Sequence, residues 1–388
     1  MRRSVLFTVL LSTAVSAGVA AQQPPPPQGA PYEHDEGRSG DENQQQPPMS
    51  PEQQANLAAV ARYQHGLEES LRASASPRDW ALSTTVMHAD EQSEGPSPDD
   101  AARGALLRKA AEAAPNDRLV QWLWAIAPAE LSGCTSARPC VKRGDALAKL
   151  EPDNAAAWVP AVADAARFHD AQRTDEALAR MAAATRYDEA YRDAKGAWLD
   201  VFRRFPMPPE LLRSPDGKAG DAALAAESGA MSQLTYALPP FDELIQACDR
   251  HRYPDVAAAR FANCANAGRL MLDQSTTITG RMVGGSLLEM SGALTAEDRA
   301  RIRAAQWQLE QHVRLAPNGE GDLPRMREQM DRLVASDSEV AAMQEDLRRA
   351  HVSLTPPAGW QPRQENGPQD PRGEPQPESE PVPDDGRR

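Results

Sequence analysis

The sequence predicts an all-α protein, built from antiparallel helical hairpins between two tails without regular structure. Three observations carry this. Apolar residues recur at spacings of three and four through the middle of the chain, the signature of the 3.6-residue helical period. Good helix starts precede those runs. Alternating, strand-like patterns are missing, and short breaks rich in Pro, Gly and Asp separate segments of helix length, as in antiparallel helical arrays.

The chain opens MRRSVLFTVLLSTAVSAGVAAQQ. Arg2 and Arg3 form a basic start, Val5 to Val15 a short apolar run, and Val19-Ala20-Ala21 a small-residue cleavage site, so residues 1–21 read as a secretory signal. The run is too short to span a membrane, and no other stretch is long and apolar enough. The expected location is therefore periplasmic or secreted, with no membrane span in the mature chain. Residues 22–50 and 356–388 are rich in Pro, Gln, Glu and Gly and carry too little apolar surface to offset the entropy of ordering. Of the 34 prolines, 8 fall in 22–51 and 9 in 356–388, so the high proline content describes the tails. The helical middle divides into 51–214 and 215–355. The chain has a formal charge of −14, and cleavage of the signal removes two arginines and takes it to −16. That acidity argues against nucleic acid or anionic lipid as a partner, since both need clustered Lys and Arg.

Within the middle, Ser50-Pro51, Ser76-Pro77 and Ser97-Pro98 each read as an N-cap followed by Pro at the first helical position, and Thr295 with Asp298 reads as a capping pair. Leu57, Val60, Gln64, Leu67 and Leu71 form one stripe. Tyr187, Tyr191, Ala194, Trp198, Val201 and Phe205 form a second, and Ile302, Ala305, Leu309 and Val313 a third. Leu323, Met326, Met330 and Leu333, then Val340, Met343, Leu347 and Leu354, close the series. Trp158 and Trp198 are expected to be buried between helices. Gly280, Gly284 and Gly285 in GRMVGGS fit a close helix crossing better than a phosphate loop, because no strand precedes them and no Lys-Ser/Thr follows.

The four cysteines, Cys134, Cys140, Cys248 and Cys264, follow a signal sequence in even number, which favours disulfides over free thiols or metal chemistry. Three connectivities are open. Pairing of neighbours, Cys134 with Cys140 and Cys248 with Cys264, is the expected one. A simple hairpin turning near Tyr253 leaves Cys264 farther from the turn than Cys248, so that second pair requires a longer turn.

KLEPDNAAAW, residues 149–158, ends one helix at Pro152 and opens the next toward Trp158. With Ala177, Met181 and Ala184 in TDEALARMAAA, and Pro115 lying 37 residues before Pro152, the stretch 100–205 resembles tetratricopeptide (TPR) helical hairpins, whose period is about 34 residues. Val162 stands where that pattern wants a small residue, and Pro160 falls inside the first helix and kinks it or pushes its start later. The resemblance implies stacked hairpins with a concave face for a protein or peptide partner. The whole chain also resembles uncharacterised, secreted, Ala-rich helical proteins of proteobacteria, in which two cysteines flank a central turn and the fold ends near a PP-x-x-W phrase, here PPAGW at 356–360.

No catalytic, cofactor-binding or metal-binding residue is nominated. None of the seven histidines forms H-E-x-x-H, and G-x-S-x-G and a partnered S-x-x-K are missing. The densest polar cluster, Asp249-Arg250-His251-Arg252-Tyr253, reads as a solvated turn with Pro254 opening the next helix, or as a clamp for substrate or peptide. The functional expectation is a protein-binding or scaffold protein of the cell envelope. The alternative is an envelope hydrolase with scattered catalytic residues in a helical cleft.

Overall fold

The computed structural model describes residues 50–86, 100–128, 131, 142–212, 220–317 and 322–362. The predicted signal sequence, the Ser97-Pro98 cap, Cys134 and Cys140 lie outside them, as does nearly all of both predicted tails. The described residues form fifteen α-helices and three short 3₁₀ turns, and contain no strand. The fold class is all-α, as expected.

The first group is α1 (Pro51–Ala73), α2 (Pro77–Ser83), α3 (Asp100–Ala113) and α4 (Arg118–Ile126), each packed on its neighbour. Ser50 caps α1: its Oγ accepts from the Gln53 N–H at 3.2 Å, and Gln53 Oε1 accepts from the Ser50 N–H at 2.7 Å. Ser76 caps α2 and Asp117 caps α4. Leu67 and Leu71 enter the core, but Leu57 is exposed, because the first turns of α1 overhang it.

The second group is α5 (Lys142–Leu150), a 3₁₀ turn (Ala155–Trp158), α6 (Val159–Arg167) and α7 (Ala171–Ala183). Pro160 sits in the first turn of α6, where its missing N–H costs nothing, so the helix starts late rather than kinking. Trp158 is consequently only half-buried, contrary to expectation. It stands on the 3₁₀ turn, and its indole N–H donates outward to the Pro152 carbonyl at 3.2 Å. Ala177, Met181 and Val162 are buried.

α8 (Tyr191–Arg204) carries the Tyr/Trp stripe. Tyr187 lies before the helix, since Ala190 adopts φ 55° and breaks it, yet Tyr187 is buried with the rest. Trp198 is buried, as expected. α9 (Ala222–Gln233) packs on α8, and α10 (Phe241–Ala247) packs on α6. One continuous apolar core runs from Leu67 to Leu287, with Trp122 and Trp198 its largest side chains; Trp122 also donates to the Ala237 carbonyl at 2.8 Å. Truncating such a tryptophan typically costs about 3–5 kcal/mol.

α11 (Ala258–Gln274) and α12 (Ile278–Met290) make the most extensive helix pair. Gly284 lies on α11 so closely that a Cβ there would fall 2.5 Å from the Leu272 nitrogen, and one at Gly268 would fall 2.8 Å from the Gly284 carbonyl oxygen. Of the run, Gly284 makes this crossing, while Gly285 faces Ile302 and Gly280 faces Glu189 and Ser275. α13 (Ala296–Leu315) packs on α12, and Thr295 and Asp298 cap each other's backbone at its start. Ile302 and Ala305 are buried, while Val313 is exposed where α13 extends past its neighbours. α14 (Leu323–Ala335) buries no residue fully, and α15 (Glu339–Arg349) buries Met343 and Leu347 against α13 and α14. Leu354 lies beyond α15 and is half-buried; Trp360 of PPAGW packs edge-on against Trp307 at 5.4 Å.

Candidate functional site

Three places combine polar groups from distant segments. The first is the seam at KLEPDN. Asn154 is fully buried. Its Nδ2 donates to Glu151 Oε2 at 2.9 Å and to the Asp188 carbonyl at 2.8 Å, and its Oδ1 accepts from the N–H groups of Asp188 at 2.9 Å and Ala156 at 3.2 Å. The seam lies parallel to the segment before α8, with Ala155 N–H donating to the Arg186 carbonyl at 2.8 Å. Two arginines bind it from outside: Arg118 pairs with Glu151, Asp188 and Asp193, and Arg186 with Glu151, Asp153 and Asp188. Burial works against ionising Glu151, but the bonds from Arg186 and Asn154 and the Arg118 charge outweigh it and hold its pKa below the usual value.

The second is the loop 275–277 between α11 and α12. Glu189 Oε2 accepts from Ser275 Oγ at 2.7 Å, the Thr277 N–H at 3.1 Å and Thr276 Oγ1 at 3.4 Å. From the other side the start of α15 reaches the same loop: Glu339 Oε2 accepts from the Ile278 N–H at 2.9 Å, and the Thr276 carbonyl accepts from the Glu339 N–H at 2.8 Å and from Ser338 Oγ at 3.0 Å. No cation pairs with Glu189 or Glu339 among the described residues. Burial, and secondarily the Glu339 charge, push the Glu189 carboxyl up to about 7 against the pull of its hydrogen bonds; burial raises Glu339 as well. Glu189 Oε1 and the hydroxyls of Tyr187 and Tyr191 are buried without a hydrogen-bond partner. Burial raises both tyrosines, and for Tyr187 the Glu189 carboxyl adds to it. A small pocket of about 60 Å³ adjoins, lined by Tyr191, Thr235, Thr277, Thr279 and Glu339 among apolar side chains.

The third place is the turn after α10. Cys248 and Cys264 form a disulfide with Cα atoms 5.8 Å apart. Pro254 does not open the next helix; α11 starts at Ala258, and the turn from Cys248 to Ala257 is long enough to bring the two sulfurs together. Beside it lies a pocket of about 240 Å³, lined by Arg250, Pro254, Val256, Ala258, Phe261 and the turn 291–293. Of the polar cluster named from sequence, only Arg250 reaches this pocket. Asp249 accepts from the His251 N–H at 2.9 Å, Arg252 donates to Gln246 Oε1 at 2.6 Å, and Tyr253 sits under Arg252 and Arg260.

Glu189, Glu339 and Ser275–Thr277 escaped sequence reasoning. They lie far apart in the chain and belong to no local motif. Among the described residues, no group of three or more His, Cys, Asp or Glu could hold a metal ion, and no helix is long and apolar enough to cross a membrane. No protein-family model, curated protein or solved structure matches the chain.

Proposed function

We propose that this chain is an exported helical binding protein of the cell envelope that takes a protein or peptide partner. The observation that carries this reading is the pocket beside the Cys248–Cys264 disulfide, open at a surface turn and furnished with one cation and an apolar wall. A disulfide suits an oxidising compartment, in keeping with the signal-like start. The packed α6–α7 hairpin, with Ala177 and Met181 buried on α7, supports the TPR-like reading of this part of the chain. The hydrolase alternative requires shifted acids in an accessible cleft. Glu189 is instead enclosed and holds the 275–277 loop, and Glu339, which lines the pocket of about 60 Å³, is engaged with the Ile278 N–H.

A photo-crosslinking side chain at Ala258, on the pocket wall, is expected to give a discrete adduct in envelope extract, whereas one at exposed Glu69 on α1 gives none. Identical products from both positions would reject the reading. So would ester, peptide or glycoside hydrolysis by the purified chain that Glu189→Gln abolishes.

A further inference from the structure

We infer that the pocket beside the disulfide receives the C-terminal carboxylate of a peptide whose last side chain is apolar. The inference rests on the binding-protein reading and adds the ligand's chemistry. Its first support is how Arg250 is held. The Arg250 N–H donates to the Met290 carbonyl at 3.1 Å, joining the turn after α10 to the end of α12. Its guanidinium lies 6.0 Å over the Phe261 ring. Gly292, at φ 70°, lies alongside it: a Cβ there would sit 3.4 Å from Arg250 Nη1, an ordinary contact. Arg250 is itself exposed, and its backbone bond and the ring contact set it at the pocket rim.

The second support is what Arg250 lacks. Arg260 pairs with Asp175, and Arg252 bonds to Gln246. Among the described residues no carboxylate pairs with Arg250, although the chain carries 56 acids against 42 Lys and Arg. An exposed guanidinium at the pocket rim, with its donors uncommitted among the described residues, is matched by a carboxylate, which it can hold through two parallel N–H···O bonds.

The third support is size and lining. About 240 Å³ is below the usual range of roughly 300–1,000 Å³ for sites that engulf a drug-sized molecule. It admits one large side chain while the rest of the ligand stays outside. Val256, Phe261 and Ala293 supply an apolar wall next to the charge, so the carboxylate and the apolar group must be close neighbours, as they are in a terminal residue. A long-chain acid would leave most of its tail in water.

Calorimetric titration of the full chain with a pentapeptide ending in leucine, as free acid and as C-terminal amide, tests this. The free acid is expected to bind at least about tenfold more tightly than the amide, the value of one charge-assisted hydrogen bond. Arg250→Gln should erase the preference. Ala262→Trp, at an exposed position on the pocket wall, should block both peptides, with the melting temperature showing that each variant still folds. Equal binding of acid and amide, preference retained in Arg250→Gln, binding of octanoate but neither peptide, or no binding at all would overturn the inference. A discrete Ala258 adduct alongside any of those results would leave the binding-protein reading standing.

Discussion

The KLEPDN seam and the 275–277 loop do the same mechanical work with opposite electrostatics. Each fastens a turn to a segment distant in the chain. At the seam, Glu151, Asp153, Asp188 and Asp193 are matched by Arg118 and Arg186 around buried Asn154. At the loop, Glu189 and Glu339 receive hydroxyl and backbone donors and no cation among the described residues. Paired carboxylates favour the ionised state and enclosed, unpaired ones the protonated state. The two fastenings therefore weaken at opposite ends of the pH scale.

Breaking the seam should have the largest effect. Asn154→Ala removes a partner of the Ala156 N–H and of both backbone groups of Asp188, and one of the bonds to Glu151, which keeps Arg118 and Arg186; it is expected to destabilise the fold by about 3 kcal/mol in chemical denaturation. Next comes the acid fastening. The Glu189 carboxyl is raised from 4.5 to about 7 in the folded state, so its contribution is fully present below pH 4.5 and is lost as pH rises to 7. Glu339, also raised, acts in the same direction. Glu189→Gln, which cannot ionise, is expected to match the parent protein near pH 4 and exceed it by about 2–3 kcal/mol at pH 8. A flat difference between the two pH values would refute the contrast with the seam, whose Glu151, held below its usual pKa, contributes stability above pH 4.5 and loses it as pH falls through the lowered value.

Lys195 adds a third case: a buried cation that, among the described residues, pairs with backbone carbonyls and with no carboxylate. Its Nζ donates to the carbonyls of Leu333, Val334 and Ser336 and so anchors the end of α14 to α8. Lys195→Met should cost about 2 kcal/mol and speed hydrogen exchange in α14 before the core. The smallest effect belongs to Arg192 and Asp337, an ion pair with side chains 73% and 68% exposed. Arg192→Ala is expected to change stability by less than about 0.5 kcal/mol, measured by thermal melting.

The difference between the two fastenings also marks how far the sequence could be read. Helix starts at Ser50, Ser76 and Thr295 were legible because a cap and its partner are three residues apart. The stripe through Ala194, Trp198 and Val201 was legible because period is local, although its first member, Tyr187, proved to lie before the helix. Where a helix outruns its neighbours, as at Leu57 and Val313, period alone does not tell wall from overhang. The seam was half visible: Pro-Asp-Asn announces a helix end, but not that Asn154 would meet Asp188. The acid fastening was invisible, because Glu189 and Thr277 are 88 positions apart and each is unremarkable in its own segment. Pairing of Cys248 with Cys264 was right, and the turn position was not, since Pro254 faces a pocket instead of starting a helix.

The crossing of α11 and α12 has a consequence for inheritance. At Gly268 and Gly284 the nearest obstacles to a side chain are backbone atoms of the partner helix, which cannot swing aside as a rotamer can. Every amino acid replacement reachable from a glycine codon by one base change adds at least a methyl group. Drift therefore has no small step to take at either position. A library of random variants selected for folded protein should be emptied at 268 and 284 while tolerating change at Gly66 and Gly196, where an added Cβ meets nothing within 4 Å.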